Sequence, residues 1–318
     1  MSTHVETGID VERISDRQPA ASARIDEIYR ELDEHGIVRL DDAVKEAQLD
    51  GMQRAFAAQL RNLRWSNVDG YEKTERFRHM VEDVLLLDQG FVDLALHPVI
   101  AEVLRRYIGE SFTLNEAKGW LSLATKRDFH GWHGDKWYDQ EVVDFIPREV
   151  KSVIYLTDVK SGAFHYIKGS HRQIAPKDYE SWEISDTWKK NVVEMTAPAG
   201  TVILFDTSGI HRQGSPILEP RQAVFLNYHD PTVRIQEESI RSYRYHPLLL
   251  NAAFLGGLTA EDCRILGFGE KSQYKPGHID KSNHDWFRRI FQVAYDVNLV
   301  ASDFAARVAG KLKRLSGR

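Results

Sequence analysis

Cysteine is nearly absent from this chain of 318 residues, which contains only Cys263. A single cysteine cannot form a disulfide within the chain, and it cannot supply a cysteine-based zinc site. A chain of this length can bury a sizeable core without disulfides, and 42% hydrophobic and 28% charged residues are typical of globular proteins. The composition therefore predicts one large domain or two small ones, in a reducing compartment.

Long apolar runs and an excess of basic residues are also missing. No stretch of 18 or more apolar residues occurs, so we expect no transmembrane helix. The N-terminus lacks the basic and then apolar layout of a signal peptide, and the C-terminus is not a peroxisomal address. The net charge of −5 gives no reason to expect nucleic-acid binding. These absences predict a cytoplasmic protein that binds neither membranes nor nucleic acids.

The sequence pattern changes near residue 111. Residues 1–20 are polar and predict a flexible tail, whereas 21–110 are mostly helical in pattern, with an irregular charged stretch at 64–79. Short strand-like stretches fill residues 111–232, with glycine or proline between several of them: Phe112–Leu114, Gly119–Ala124, a strand at His133, Val150–Thr157, Ala163–Ile167, Val192–Thr196, Thr201–Phe205 and Gln222–Tyr228. Eight such strands predict a mainly β fold with flanking helices, in which two sheets form a jelly roll.

Residues 233–318 form a further region, which we expect to be a helical extension packed on the core. Thr259, followed three residues later by Asp262, resembles the capped start of a helix. Apolar residues at helical spacing between 283 and 314 predict an amphipathic helix or a pair of helices. These C-terminal helices would cover the core or, alternatively, form the interface of a homodimer.

The segment from Phe129 to Asp135 contains a short motif with chemical meaning. His133 and Asp135 are separated by one residue, so on an extended strand their side chains would project to the same side. An imidazole and a carboxylate are two of the three ligands of the facial triad of two histidines and one carboxylate, which suits Fe(II) with open coordination positions. By itself the motif is weak, because it occurs by chance in many proteins.

A second histidine and an arginine follow at an informative spacing. His211 comes after a buried-looking strand and a tight turn, and Arg221, ten residues later, opens the next strand. An adjacent antiparallel strand could hold Arg221 deep in the barrel, roughly one cosubstrate length from a metal at His211. A guanidinium can bind a carboxylate with two hydrogen bonds, and buried arginines are rare unless paired. Arg221 is therefore a candidate anchor for the distal carboxylate of 2-oxoglutarate.

Five segments, in the same order, resemble the phytanoyl-CoA dioxygenase family of Fe(II)/2-oxoglutarate oxygenases. They are HGIVRLDD, LHPVIAEVLRRYIGESFTL, WHGD, VIYLTDVKSGAFHYIKGSH, and PAGTVILFDTSGIHRQGSP with the Pro-Arg that follows. The resemblance implies a double-stranded β-helix, a cupin-like jelly roll, within a dioxygenase domain at 21–232. It also implies iron ligation by His133, Asp135 and His211, and binding of 2-oxoglutarate by Arg221. One departure is Lys168, where the family usually has proline before Gly-Ser-His.

The resemblance further implies an enzyme that consumes O2 and 2-oxoglutarate, releases succinate and CO2, and hydroxylates an unactivated C–H bond of a small metabolite, such as a biosynthetic intermediate. Asp135 favours hydroxylation over halogenation, because related halogenases have a small residue there. Desaturation, epimerisation and cyclisation use the same kind of site and stay open. A further cosubstrate contact is expected on the strand before the metal motif, where Lys118, Ser122 and Lys126 are equal candidates.

Two alternatives remain at this stage. The first is a metal-dependent oxygenase or isomerase on the same scaffold that does not use 2-oxoglutarate, and Arg221 argues against it. The second is a non-catalytic jelly-roll protein that binds a ligand, and the complete set of two histidines and one carboxylate argues against it.

Overall fold

The computed structural model describes residues 18–61, 77–81, 83–129, 131–172, 184–235, 248–267, 278–280, 297 and 301. The helices are α1 (Gln18–His35), α2 (Glu46–Leu60), α3 (Gln89–Ala95), α4 (Pro98–Tyr107), α5 (Asp186–Lys189) and α6 (Ala260–Ile265). The strands are β1 (Ile37–Leu40), β2 (Arg78–Val81), β3 (Thr113–Ser122), β4 (Glu149–Tyr155), β5 (Val159–Ile167), β6 (Val192–Ala197), β7 (Val202–Asp206), β8 (His211–Gln213), β9 (Arg221–His229), β10 (Leu249–Asn251) and β11 (His278–Asp280).

Two antiparallel sheets form the core of the structure. The major sheet has the strand order β1-β7-β4-β9-β3-β2, and the minor sheet has the order β6-β5-β8. Apolar side chains of both sheets pack together, for example Val153 and Phe205 of the major sheet with Phe164 and Tyr166 of the minor sheet. The fold is the mainly β jelly roll with flanking helices that the sequence predicts.

The major sheet is buried on both faces. In β7, Val202 and Leu204 pack in the cluster that contains the helices, whereas Ile203 and Phe205 pack toward the minor sheet. This alternation follows from the two-residue period of a strand. The helices α1, α2 and α4 contribute side chains to the first cluster, among them Leu32, Phe56 and Val103. The face that carries Ile203 and Phe205 therefore forms the inner wall of the jelly roll, where the candidate site lies.

The structure corrects the predicted strands in several places. It contains three short strands that were not predicted, β8, β10 and β11, and the last two lie in the region that was expected to be helical. The stretches predicted separately at 112–114 and 119–124 belong to one continuous strand, β3. Residues 64–79 were expected to be irregular, but Arg78–Val81 forms β2, which pairs with β3. His133 does not lie in a strand; it forms an isolated bridge with His211. Strand pairing is a tertiary interaction, so a short charged segment such as β2 gives little periodic signal.

The helix boundaries agree better with the sequence. Helix α4 begins at Pro98, and α6 begins after Thr259, whose side chain and that of Asp262 form a reciprocal capping box. The helices expected between 283 and 314, and with them the possible dimer interface, lie outside the described residues except at positions 297 and 301. None of the helices in the described part of the chain is long and apolar enough to span a bilayer.

Gly119 marks the point where β3 packs most closely on a helix. A Cβ atom at this position would overlap the ring of Phe56 in α2, which is fully buried. We predict that Gly119→Ala lowers the free energy of unfolding by about 1–3 kcal/mol, because overpacking forces side chains away from their preferred rotamers. Urea denaturation measures the change. Gly256→Ala is the matched control, since a Cβ there meets no atom within 4 Å, and its stability should stay near that of the wild type.

Candidate metal site

Main-chain hydrogen bonds bring the two motif segments together. The N–H of His133 donates to the carbonyl of His211 at 3.0 Å, and the N–H of His211 donates back to the carbonyl of His133 at 2.8 Å. The N–H of Asp135 donates to the carbonyl of Thr207 at 2.8 Å. The loop that carries His133 and Asp135 is thereby fixed against β8 and the turn that precedes it. These backbone contacts place the three side chains next to one another.

The side chains of His133, Asp135 and His211 form a compact cluster of donors. One potential ligand atom from each lies within 4.8 Å of the others. The Oδ1 atom of Asp135 is 3.8 Å from Nε2 of His133 and 3.9 Å from Nε2 of His211. The Nδ1 atom of each histidine lies close to a carbonyl two residues earlier, at 3.0 Å from Gly131 and 2.8 Å from Gly209. An Nδ1–H that donates to such a carbonyl leaves the lone pair of Nε2 for a metal.

Burial sets the protonation state of His211. All three side chains are buried. Burial and, after it, the neighbouring charge of His133 lower the pKa of His211 to about 3. His211 is therefore neutral at pH 7, and the neutral imidazole is the form that binds metals. Two imidazoles and one carboxylate fit a divalent ion such as Fe(II) with open positions.

A cavity lies against the cluster and is lined by basic and aromatic side chains. The basic residues of the lining are Arg78, Lys118, Lys151 and Arg221. Lys118 forms an ion pair with Glu116, and Lys151 forms one with Asp135. The chain as a whole has a net charge of −5, so this concentration of positive charge is local to the cavity. It favours anionic ligands.

Arg221 is the strongest indication of such a ligand. It is the first residue of β9 and is 9% exposed, and burial lowers the pKa of its guanidinium. No carboxylate among the described residues pairs with it. Strand pairing places Arg221 beside Ser122 of β3, which in turn lies beside Arg78 of β2. A buried cation without a partner is costly, so this row of side chains is suited to bind an anion.

The structure separates the three candidates for a further cosubstrate contact. Lys118 and Ser122 are buried on β3 and line the same cavity as Arg221. Lys126 is exposed, lies beyond the end of β3 and does not line the cavity, so the structure does not bring it to the site. His130, which is close to the metal motif in sequence, lies outside the described residues.

Two charged residues of the site were missed by the sequence analysis. Arg78 was missed because β2 was not predicted as a strand. Lys151 lies in a stretch that was predicted as a strand, and it stands among apolar residues on the face of β4 that carries Val153 and Tyr155. A charged residue on the inner face of a buried strand is the signal that identified Arg221, and the same signal could have identified Lys151.

A jelly roll that places two histidines and one carboxylate beside a buried arginine is the arrangement of Fe(II)/2-oxoglutarate-dependent oxygenases. The sequence model of the phytanoyl-CoA dioxygenase (PhyH) family matches residues 32–215, which is more than half of the chain. The chain belongs to this family. The fold, the cluster and the family assignment thus agree with one another.

Solved structures of two enzymes from nogalamycin biosynthesis have a similar fold. The epimerase SnoN, in complex with Fe3+, alpha ketoglutarate and nogalamycin RO, is 18% identical, with 82% of this chain and 97% of that chain covered and a TM-score of 0.51. The alpha ketoglutarate dependent carbocyclase SnoK is 19% identical, with 65% and 85% covered and a TM-score of 0.50. At these identities the similarity establishes the fold alone. No curated protein matches the chain significantly.

The geometry of the cluster predicts that His211 is needed for metal binding. His211→Ala should weaken binding of Mn2+ by more than about 100-fold, beyond the roughly 10- to 100-fold cost of losing a group that only supports a ligand. Titration of the metal-free protein, followed by the electron paramagnetic resonance signal of free Mn2+, measures the affinity. His165→Ala is the matched control, because His165 lies on β5 with its Nε2 3.6 Å from Glu194 and outside the cluster. Equal affinities of the two variants would contradict the assignment.

Proposed function

We propose that the protein is an Fe(II)- and 2-oxoglutarate-dependent dioxygenase that hydroxylates an unactivated C–H bond of a small metabolite in the cytoplasm. Membership of the PhyH family supports the oxygenase class. The observation that carries the assignment to this chain is the position of Arg221, a buried arginine without an acidic partner among the described residues, in the same cavity as the three donors. A metal site alone does not require such an arginine.

The residues of the cluster have distinct parts in this proposal. Nε2 of His133, Oδ1 of Asp135 and Nε2 of His211 would hold Fe(II). When bound, the metal would supply the oxidising chemistry, in which one oxygen atom of O2 converts 2-oxoglutarate to succinate and CO2 and the other is transferred to the substrate. The protein holds the two imidazoles in one tautomer through Gly131 and Gly209, and it keeps the donors buried.

The row of Arg78, Ser122 and Arg221 would bind the far carboxylate of 2-oxoglutarate. The planar guanidinium of Arg221 can donate two parallel hydrogen bonds to that group, and the hydroxyl of Ser122 can donate a third. Lys118, which binds Glu116, would add positive charge nearby. This arrangement orients the cosubstrate so that its oxo acid end faces the cluster. Fixed orientation of both reactants is a principal contribution of the protein to catalysis.

Asp135 supports hydroxylation as the reaction. A carboxylate in the cluster occupies the place where a halide would have to bind, so halogenation is disfavoured. Epimerisation and cyclisation need the same donors and differ in how the substrate is held, so the product formed from the natural substrate distinguishes them from hydroxylation. The cavity lining is a mixture of aromatic and basic side chains, which suits a small molecule with both apolar and acidic parts.

Arg221→Ala should raise the dissociation constant of 2-oxoglutarate roughly 30-fold or more. Removal of one partner of a buried charge pair costs about 2–5 kcal/mol, and each 1.4 kcal/mol is about tenfold in affinity. The measurement is anaerobic titration of the Fe(II)-loaded protein with 2-oxoglutarate. Release of succinate in the presence of oxygen is followed in parallel. Both readouts should depend on iron.

Lys126→Ala is the matched control for Arg221→Ala, because it removes a positive charge from the neighbourhood of β3 without touching the cavity. It should bind 2-oxoglutarate like the wild type. If iron binds but 2-oxoglutarate does not, the result would favour a metal-dependent enzyme that uses no 2-oxoglutarate. If the wild type binds no iron, the result would favour a non-catalytic ligand-binding protein.

A further inference from the structure

The carboxylate of Asp135 uses its two oxygens differently. Oδ1 faces the histidines, at 3.8 Å and 3.9 Å from their Nε2 atoms. Oδ2 accepts a hydrogen bond from Nζ of Lys151, which lines the cavity. The side chain of Lys151 is 14% exposed and that of Asp135 is 5% exposed, so this ion pair is largely shielded from water. Such a pair is screened much less by salt than one at the surface.

We propose that Lys151 is a positioning residue that keeps Asp135 a ligand through one oxygen only. By holding Oδ2, the ammonium group prevents the carboxylate from rotating to present both oxygens to the metal. This inference rests on the proposed function, since it assumes that His133, Asp135 and His211 bind the metal. It adds a residue and a role that family membership does not supply.

The backbone of Lys151 is well placed for this role. Lys151 lies near the middle of β4, where it pairs with Phe205 of β7 on one side and with Asn227 of β9 on the other. A residue between two neighbouring strands of a six-stranded sheet cannot shift without disturbing both. The lysine side chain is flexible, but the attraction of a buried carboxylate holds its end in place. Asp135 is fixed as well, through the hydrogen bond from its N–H to Thr207.

The number of ligand oxygens matters for the proposed reaction. An octahedral ion offers six positions, and two imidazoles with one carboxylate oxygen leave three of them open. A cosubstrate that binds through two atoms then leaves one position for oxygen. If Asp135 bound through both oxygens, the cosubstrate would fill the remaining positions or would have to compete for them. Lys151 therefore protects the position at which oxygen would bind.

Metal affinity alone is a poor test of this role. Loss of the lysine charge removes repulsion toward the metal and strengthens binding, whereas loss of the hydrogen bond loosens the ligand and weakens binding. The number of water molecules bound to the metal reports the role directly. Mn2+ is paramagnetic, so the relaxation rate of water protons in a solution of the Mn2+-loaded protein increases with the number of waters on the ion.

The experiment compares the full-length wild type with Lys151→Met, which keeps the length of the side chain and removes its charge and donors. Without 2-oxoglutarate, the relaxation enhancement should fall by about one third in Lys151→Met, because three open positions become two. With saturating 2-oxoglutarate, the enhancement should persist in the wild type and nearly vanish in the variant. The dissociation constant of 2-oxoglutarate should rise about tenfold, or about 1.4 kcal/mol, because a carboxylate that binds through both oxygens competes with the cosubstrate for coordination positions.

Two further variants distinguish the loss of the hydrogen bond to Oδ2 of Asp135 from the loss of a positive charge in the cavity. Lys151→Arg keeps a donor for Oδ2 and should restore most of the wild-type relaxation. Lys118→Met also removes a buried cation of the cavity, one that binds Glu116 rather than a metal ligand, and should leave the relaxation of the Mn2+ form unchanged in the absence of 2-oxoglutarate. Thermal unfolding verifies that each variant is folded. Lys151→Leu provides a second variant without charge or donor if Lys151→Met does not fold.

Several results would overturn the inference. Unchanged relaxation without 2-oxoglutarate, combined with weaker 2-oxoglutarate binding, would show that Lys151 contacts the cosubstrate and does not control how Asp135 binds the metal. Unchanged relaxation and unchanged 2-oxoglutarate binding would reduce the ion pair to a structural contact. Failure of the wild type to bind Mn2+ would instead overturn the proposed function, and this inference with it. The wild-type titration therefore distinguishes the two failures.

Discussion

The site depends on the reciprocal pair of main-chain hydrogen bonds between His133 and His211. These two residues are far apart in the sequence, and no local interaction would bring their side chains together. The bridge joins the loop after β3 to β8 of the minor sheet. The third donor follows from it, because the same loop continues to Asp135 and is bonded there to Thr207. All of the proposed chemistry requires this junction between the two motif segments.

Charge is distributed around the junction in pairs. Asp135 is balanced by Lys151, and Glu116 by Lys118. Arg221 has no such partner among the described residues and lies in the same cavity. In the proposed function, the far carboxylate of 2-oxoglutarate completes this pair. The major sheet makes the arrangement possible, since Lys118, Lys151 and Arg221 project from three of its strands.

Much of the fold and of the candidate site could be predicted from the sequence. The remaining features could not be predicted, for physical reasons. The clustering of His133, Asp135 and His211 and the buried position of Arg221 were expected from the spacing of these residues together with the resemblance to the PhyH family. The expectation that His133 lies in a strand was wrong. It still led to the prediction that His133 and Asp135 project to the same side. Their N–H groups donate to the same neighbouring segment, as those of alternate residues in a ladder do. Lys118 could be distinguished from Lys126 only when the end of β3 was known. That end is set by the pairing of β3 with β2 and β9.

The bridge between His133 and His211 also determines when the site can form. Residues 133 and 211 are distant in sequence, and β8, which begins at His211, is itself held by pairing with β5, so the donors come together only in the folded sheets. Unfolding of the minor sheet would therefore separate His211 from His133 and Asp135, so the site would be lost together with the fold.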